Sequence, residues 1–280
     1  MSQLTVLIEG LHFPEGPRWH EGRLWFSDFY AHEVVAVDPS GRRETIVTVP
    51  EQPSGLGWLP DGRLLVVSMR DRKVMRRDAG GLVVHADLWN LAAFHCNDMV
   101  VDGDGRAYVG NFGFNHYAGE EPKGAALLRV EPDGRAAIAA DDLMFPNGTV
   151  ITQDGRTLVI GETRARRLTA FDRAADGTLS NRRLWADLGP NHPDGICLDA
   201  EGAIWVADPR NNVVLRVREG GEVVDRISTG DLGAFACMLG GDDRRTLFVC
   251  TAAASGPKAA ETRSGRIETV RVAVPGAGRP

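Results

Sequence analysis

Residues 61–68 read DGRLLVVS. The Asp-Gly pair supplies the backbone freedom of a tight hairpin turn, and the run after Arg63 is made of residues that favour a pleated strand. The same pattern recurs along the chain: EGRLWFSD from Glu21, DGRAYVGN from Asp104, DGRTLVIGE from Asp154, EGAIWVAD from Glu201 and DRRTLFVCT from Asp243. The copies lie roughly 40–50 residues apart, which is too short for a domain and too long for one hairpin. A second β-rich run precedes each turn, as in Gly55–Leu59, Met99–Val101 and Ile196–Leu198. A repeat of this length fits a sheet of about four strands, the blade of a β-propeller.

Six such units fill the 280 residues. The expectation is an all-β, six-bladed propeller in a single domain, residues 1–280. A propeller must also close its ring. The run Thr5–Glu9 precedes the first repeat and Arg266–Val274 follows the last. The N-terminal strand is therefore expected to join the last blade as its outer strand, leaving no unpaired edge at the seam. No stretch shows sustained helical periodicity. Residues 88–94, LWNLAAF, could form one helical turn but read better as a connection.

Composition narrows the function classes. Charged residues make up 25% of the chain and the formal net charge is −6, with arginines single or paired, so a basic nucleic-acid-binding face is not expected. No apolar run reaches the length of a membrane span. The first ten residues lack a basic segment followed by a long apolar one. Cys96, Cys197, Cys237 and Cys250 show no CxxC spacing and read as reduced, apolar fillers. The expectation is a cytoplasmic protein, monomeric by default.

The turns also index a second position. The start of the strand before each turn holds Glu15, Ser54, Asn97, Asn147, Asp194 and Ala236, in the contexts PEG, PSG, CND, PNG, PDG and FAC. Inner strands of a propeller run the same way along the axis, so equivalent positions form a ring at one mouth of the channel. The turns repeat while this position varies, mainly among oxygen donors. Taken singly, these are also ordinary turn residues. As a set, two carboxylates and two amides converging on one channel suit a hard divalent cation.

At these residues the chain resembles the senescence marker protein (regucalcin)/gluconolactonase/luciferin-regenerating enzyme family. The matching segments are PEGPRWHEGRLWFSD (14–28), NDMVVDGDGRAYVGNFG (97–113), PNGTVITQDGRTLVIGET (146–163) and HPDGICLDAEGAIWVAD (192–208). The resemblance implies a metal-dependent lactonase or related ester hydrolase with Glu15, Asn147 and Asp194 as metal ligands. It implies Asn97 as a substrate contact and Asp194 as general base. Calcium heads the implied metals, with manganese, magnesium or zinc as alternatives. His95 stands where animal members carry an arginine that helps bind polyhydroxylated substrates, and the loop Phe114–Lys123 also departs from the family. His95 is thus a candidate substrate contact, and the expected substrate is a small lactone or ester, not necessarily a sugar lactone.

Other chemistry finds less support. No GxSxG elbow or phosphate-binding glycine loop is present. Ser54 has no base marked beside it. His192 flanks Pro193 and Asp194 as His95 flanks Asn97, while His12, His20, His32, His85 and His116 have no informative partner. Asp28 and Asp208, which end their strands, read as turn caps. Two alternatives share the fold: a non-catalytic propeller that binds a metal or ligand, and another esterase or condensing enzyme.

Overall fold

The computed structural model describes residues 3–278. Six four-stranded antiparallel sheets are arranged as a β-propeller. Five blades are continuous in sequence; blade 1, for example, orders Pro14–His20, Arg23–Asp28, Glu33–Val37 and Arg43–Thr48 from the axis outward. The inner strands of blades 2 to 6 are Pro53–Trp58, Cys96–Val101, Pro146–Ile151, Ile196–Leu198 and Gly233–Gly240. Blade 6 takes its outer strand from the N-terminus, Thr5–Leu11, which pairs antiparallel with Gly265–Arg271 as the sequence predicts.

The repeated turns come in two forms, which accounts for one irregularity of the repeat. In blade 1, His20 pairs with Arg23, and Glu21 and Gly22 both take positive φ, 48° and 75°. This is a two-residue hairpin turn. In blade 2 the loop is one residue longer: Leu59 N–H donates to the Arg63 carbonyl at 2.9 Å and only Gly62 is left-handed, with φ 85°. The step from turn to ring residue is accordingly shorter in blade 1 than elsewhere. Residues 88–94 form a turn, with Leu91 and Ala92 both donating to the Leu88 carbonyl. Two short helical elements escape the periodicity argument, a single 3-10 turn at His116–Ala118 and a helix at Pro257–Thr262.

The core lies between blades. Leu24, Phe26, Val35 and Val37 of blade 1 meet Leu247, Phe248 and Val249 of blade 6 across the seam, and the same cluster continues to Trp205, Ala207 and Val214 of blade 5. Burying this many apolar side chains is the main favourable term in holding the ring shut. The C-terminal tail crosses the end of the strands opposite the ring residues. There Ala200 N–H donates to the Pro275 carbonyl (2.8 Å) and Ala277 N–H to that of Leu198 (3.1 Å).

Candidate active site at one mouth of the channel

Five of the six ring residues lie on the inner strands and Asp194 stands two residues before the sixth. In five blades the pairing register shifts beside the ring residue, for instance between Glu15 and Arg18 and between Pro146 and Thr149. A bulge of this kind re-aims a side chain away from the pleat. The glycine that follows has a packing reason. A Cβ on Gly55 would stand 2.3 Å from the Met99 nitrogen, one on Gly148 2.5 Å from that of Ile196, and one on Gly195 2.4 Å from the Ala236 Cβ. Adjacent blades approach so closely that they share backbone hydrogen bonds here: Gly148 N–H to the Asp194 carbonyl (3.1 Å) and Gly195 N–H to that of Phe235 (2.8 Å).

The mouth opens into a cavity of about 600 Å³. Glu15, Asn97, Asn147 and Asp194 all line it, as does Thr163, which the sequence did not single out. Ser54 and Ala236 are buried away from it. The Asn147 amide donates to Asp194 Oδ1 at 2.6 Å and to Thr163 Oγ1 at 3.2 Å, and Thr163 in turn donates to the Pro193 carbonyl at 2.7 Å. Asn147 Oδ1 and Asp194 Oδ2 accept no hydrogen bond from any described residue, and the Asn97 amide makes no side-chain hydrogen bond among them. Glu15 Oε2 accepts from Gly16 N–H at 2.9 Å.

Burial, and then the Asp194 carboxylate, hold the Glu15 carboxyl well above its ordinary value. Burial pushes Asp194 up to about 8; the Asn147 hydrogen bond works against this, and Asp98 and Asp208 add to it. The Arg18 guanidinium works against the rise at Glu15 but is itself paired with Asp98 at 2.8 Å. Glu15 is buried and Asp194 half-buried, and neither forms an ion pair among the described residues, an arrangement that is costly unless protons or a cation neutralise it. Among the described residues no three His, Cys, Asp or Glu side chains form a cluster. A cation here would draw on the Glu15 and Asp194 carboxylates and on the open Oδ1 of Asn147, a hard oxygen set.

His95 is not part of the lining. Its ring stacks on Phe94 (4.1 Å between centroids), its carbonyl accepts from Phe112 N–H, and burial depresses its pKa to about 4. His192 and His116 do line the cavity. Asp208 caps its turn as expected, accepting from the Arg210 and Asn211 amides; Asp28 does not, and instead accepts from the His12 and Phe13 amides that lead into the first inner strand. The sequence reading missed Arg18 and Asp98, whose pairing joins residues 80 apart. It also missed the aromatic wall of the cavity. A signal for the wall was present, since Phe13 and Phe145 both stand two residues before a ring position.

A six-bladed propeller with an acidic, amide-rimmed cavity at one mouth is the class these features define. The chain belongs to the SMP-30/gluconolactonase/LRE-like family, whose model matches residues 13–253. It is 28% identical over 278 residues to a 6-deoxy-6-sulfogluconolactonase of Pseudomonas putida, covering 95% of this chain and 93% of that one. It is 27% identical over 267 residues to a pentonolactonase of Haloferax volcanii, covering 91% and 87%. Among solved structures, a calcium-binding protein, regucalcin, from Agrobacterium tumefaciens has the same fold, with a TM-score of 0.82 at 24% identity over 98% of this chain and 95% of that one. Among the described residues no helix is long and apolar enough to cross a membrane.

Proposed function

We propose that this cavity hydrolyses a small lactone with the help of one divalent metal ion held by Glu15, Asn147 and Asp194. The observation that carries the reading is the Glu15–Asp194 carboxylate pair, which forms no ion pair among the described residues and stands beside an open amide oxygen. The lactonase names of the two relatives support the reaction class. Calcium is the first choice of metal, and the regucalcin likeness is consistent with it. When bound, the cation would polarise the lactone carbonyl and stabilise the negative charge that develops on its oxygen.

The protein's own groups do the rest. Asp194 is held through Oδ1 by Asn147, which leaves Oδ2 to accept a proton from the attacking water. The water oxygen bonds to the acyl carbon, the ring C–O bond breaks, and the proton passes to the departing alkoxide. The product is the open hydroxy acid. The Asn97 amide orients the substrate beside this pair. His95 supports the reaction from behind the wall, where it holds the Phe112 backbone.

The test is hydrolysis of a lactone panel by chelator-stripped protein, with calcium, manganese, magnesium or zinc added back. Turnover should return with metal, and Glu15→Ala and Asp194→Ala should each lower kcat/KM by about a hundredfold or more. Full activity in the stripped protein would remove the metal from the mechanism. Metal binding without turnover on any lactone or ester would favour a binding propeller instead.

A further inference from the structure

The walls of the cavity carry a chemistry that the floor does not use. Phe13, Phe29, Phe112, Phe145 and Phe235 line it. They belong to one buried cluster that, with Phe94 packed against it, takes seven of the chain's ten phenylalanines. The rings are ordered against one another. Phe112 and Phe145 stack at 4.6 Å with 13° between planes, and Phe13 meets Phe235 edge-on at 4.6 Å. Four blades contribute, so the wall is a joint construction and not one sticky loop.

Phe145 adds an independent sign that the wall is built. Its φ is 61°, directly before Pro146. A bulky side chain in the left-handed region ahead of a proline is strained, and such strain gathers at functional sites. Here it holds a ring flat against Phe112, next to the ring residue Asn147. His116 interrupts the wall, but its Nδ1 is buried without a partner and burial lowers its pKa, so it presents a neutral ring.

A polyhydroxylated lactone would bring several hydroxyls out of water, and each needs a new partner. Phenylalanine faces offer none, and the Asn147 and Thr163 donors are engaged with each other and with Asp194 and Pro193. Polar side chains stand beside the phenylalanine faces and not on them: Asn97 on the floor, the Tyr30 and Tyr117 hydroxyls, and a run made of Arg164, His192, Arg210, Asn212, Asp231 and Ser255. An alkyl or aryl group would instead fill the walls and leave water favourably.

We infer that the substrate is a lactone bearing an apolar substituent, alkyl or aryl, which lies along the phenylalanine wall while the lactone carbonyl sits on the floor. This rests on the lactonase reading above. The experiment compares three six-membered lactones on metal-loaded protein: unsubstituted δ-valerolactone, pentyl-substituted δ-decalactone, and gluconolactone. Binding of the matching unreactive lactams, plain and pentyl-substituted, is measured by calorimetry.

The expected result is a kcat/KM for δ-decalactone about tenfold or more above both others. Phe112→Ala and Phe112→Leu should each shrink the ratio of pentyl to plain substrate, a quantity that needs no correction for the folded fraction. Gluconolactone as the preferred substrate would overturn the inference and leave the lactonase reading standing. If no lactone turns over but the pentyl lactam binds about tenfold tighter than the plain one, the wall inference holds and the lactonase reading fails. Equal lactam binding would overturn the inference in either case.

Discussion

Glu15 and Asp194 set the terms at the scale of the residue. Both carboxyls have raised pKa values in the fold. The folded, metal-free protein therefore holds protons that the unfolded chain, with carboxyls near their ordinary values of about 4, releases. The contribution to stability is complete at pH below that range and is lost as pH rises through about 8. Chelator-treated protein should accordingly lose thermal stability between about pH 4 and 8, and calcium should restore most of it at the alkaline end. Melting curves across that range, with and without calcium, check this; a flat profile would mean the pair is neutralised in another way. The identities of Glu15, Asn97, Asn147 and Asp194 were legible in sequence because the repeated turns mark their positions. Arg18 and Asp98 were not, because nothing periodic links two partners on different blades. The wall was missed for a third reason: phenylalanines near strand ends read as core, and these are core and lining together.

At the scale of the element, the inner strands do more than pair. Each is bent by a bulge or loop start at its ring residue, and the adjoining glycine lets the next blade close in. Gly195 shows the dependence: its added Cβ would lie 2.4 Å from that of Ala236. Gly195→Ala is expected to cost about 1–3 kcal/mol through overpacking. It should also displace Asp194 and lower kcat by about tenfold, since small misplacement of a catalytic group is costly. Urea unfolding and steady-state kinetics on the same sample would read both; unchanged kinetics would show that Asp194 is placed independently of the blade contact. The strands were predictable from their β-rich runs and turns. The helix at Pro257–Thr262 was not: six residues are too few for an amphipathic period to show. The two turn lengths were visible only as a one-residue slip in the repeat.

For the whole molecule the decisive feature is closure. Blade 6 is completed by residues from the other end of the chain. Removing the N-terminal strand as far as Glu9 would expose the edge of Gly265–Arg271, whose unpaired amides and carbonyls invite a second chain. The shortened protein should melt several degrees lower and scatter light increasingly with concentration; a monodisperse sample of unchanged midpoint would show that the three remaining strands of blade 6 suffice.

The pairing of that outer strand also sets how the molecule would respond to a pull. Thr5 lies opposite Thr269 and Leu11 opposite Gly265, so both chain ends leave the sheet from the same side. Tension between the termini would first lift the tail from its two backbone bonds under blade 5. It would then open the seam bond by bond, like a zip, because the load falls on the outermost pair and not on all of them at once. Along this axis the propeller is mechanically soft, however well its blades are packed, and the ring would yield to a modest force applied at its ends.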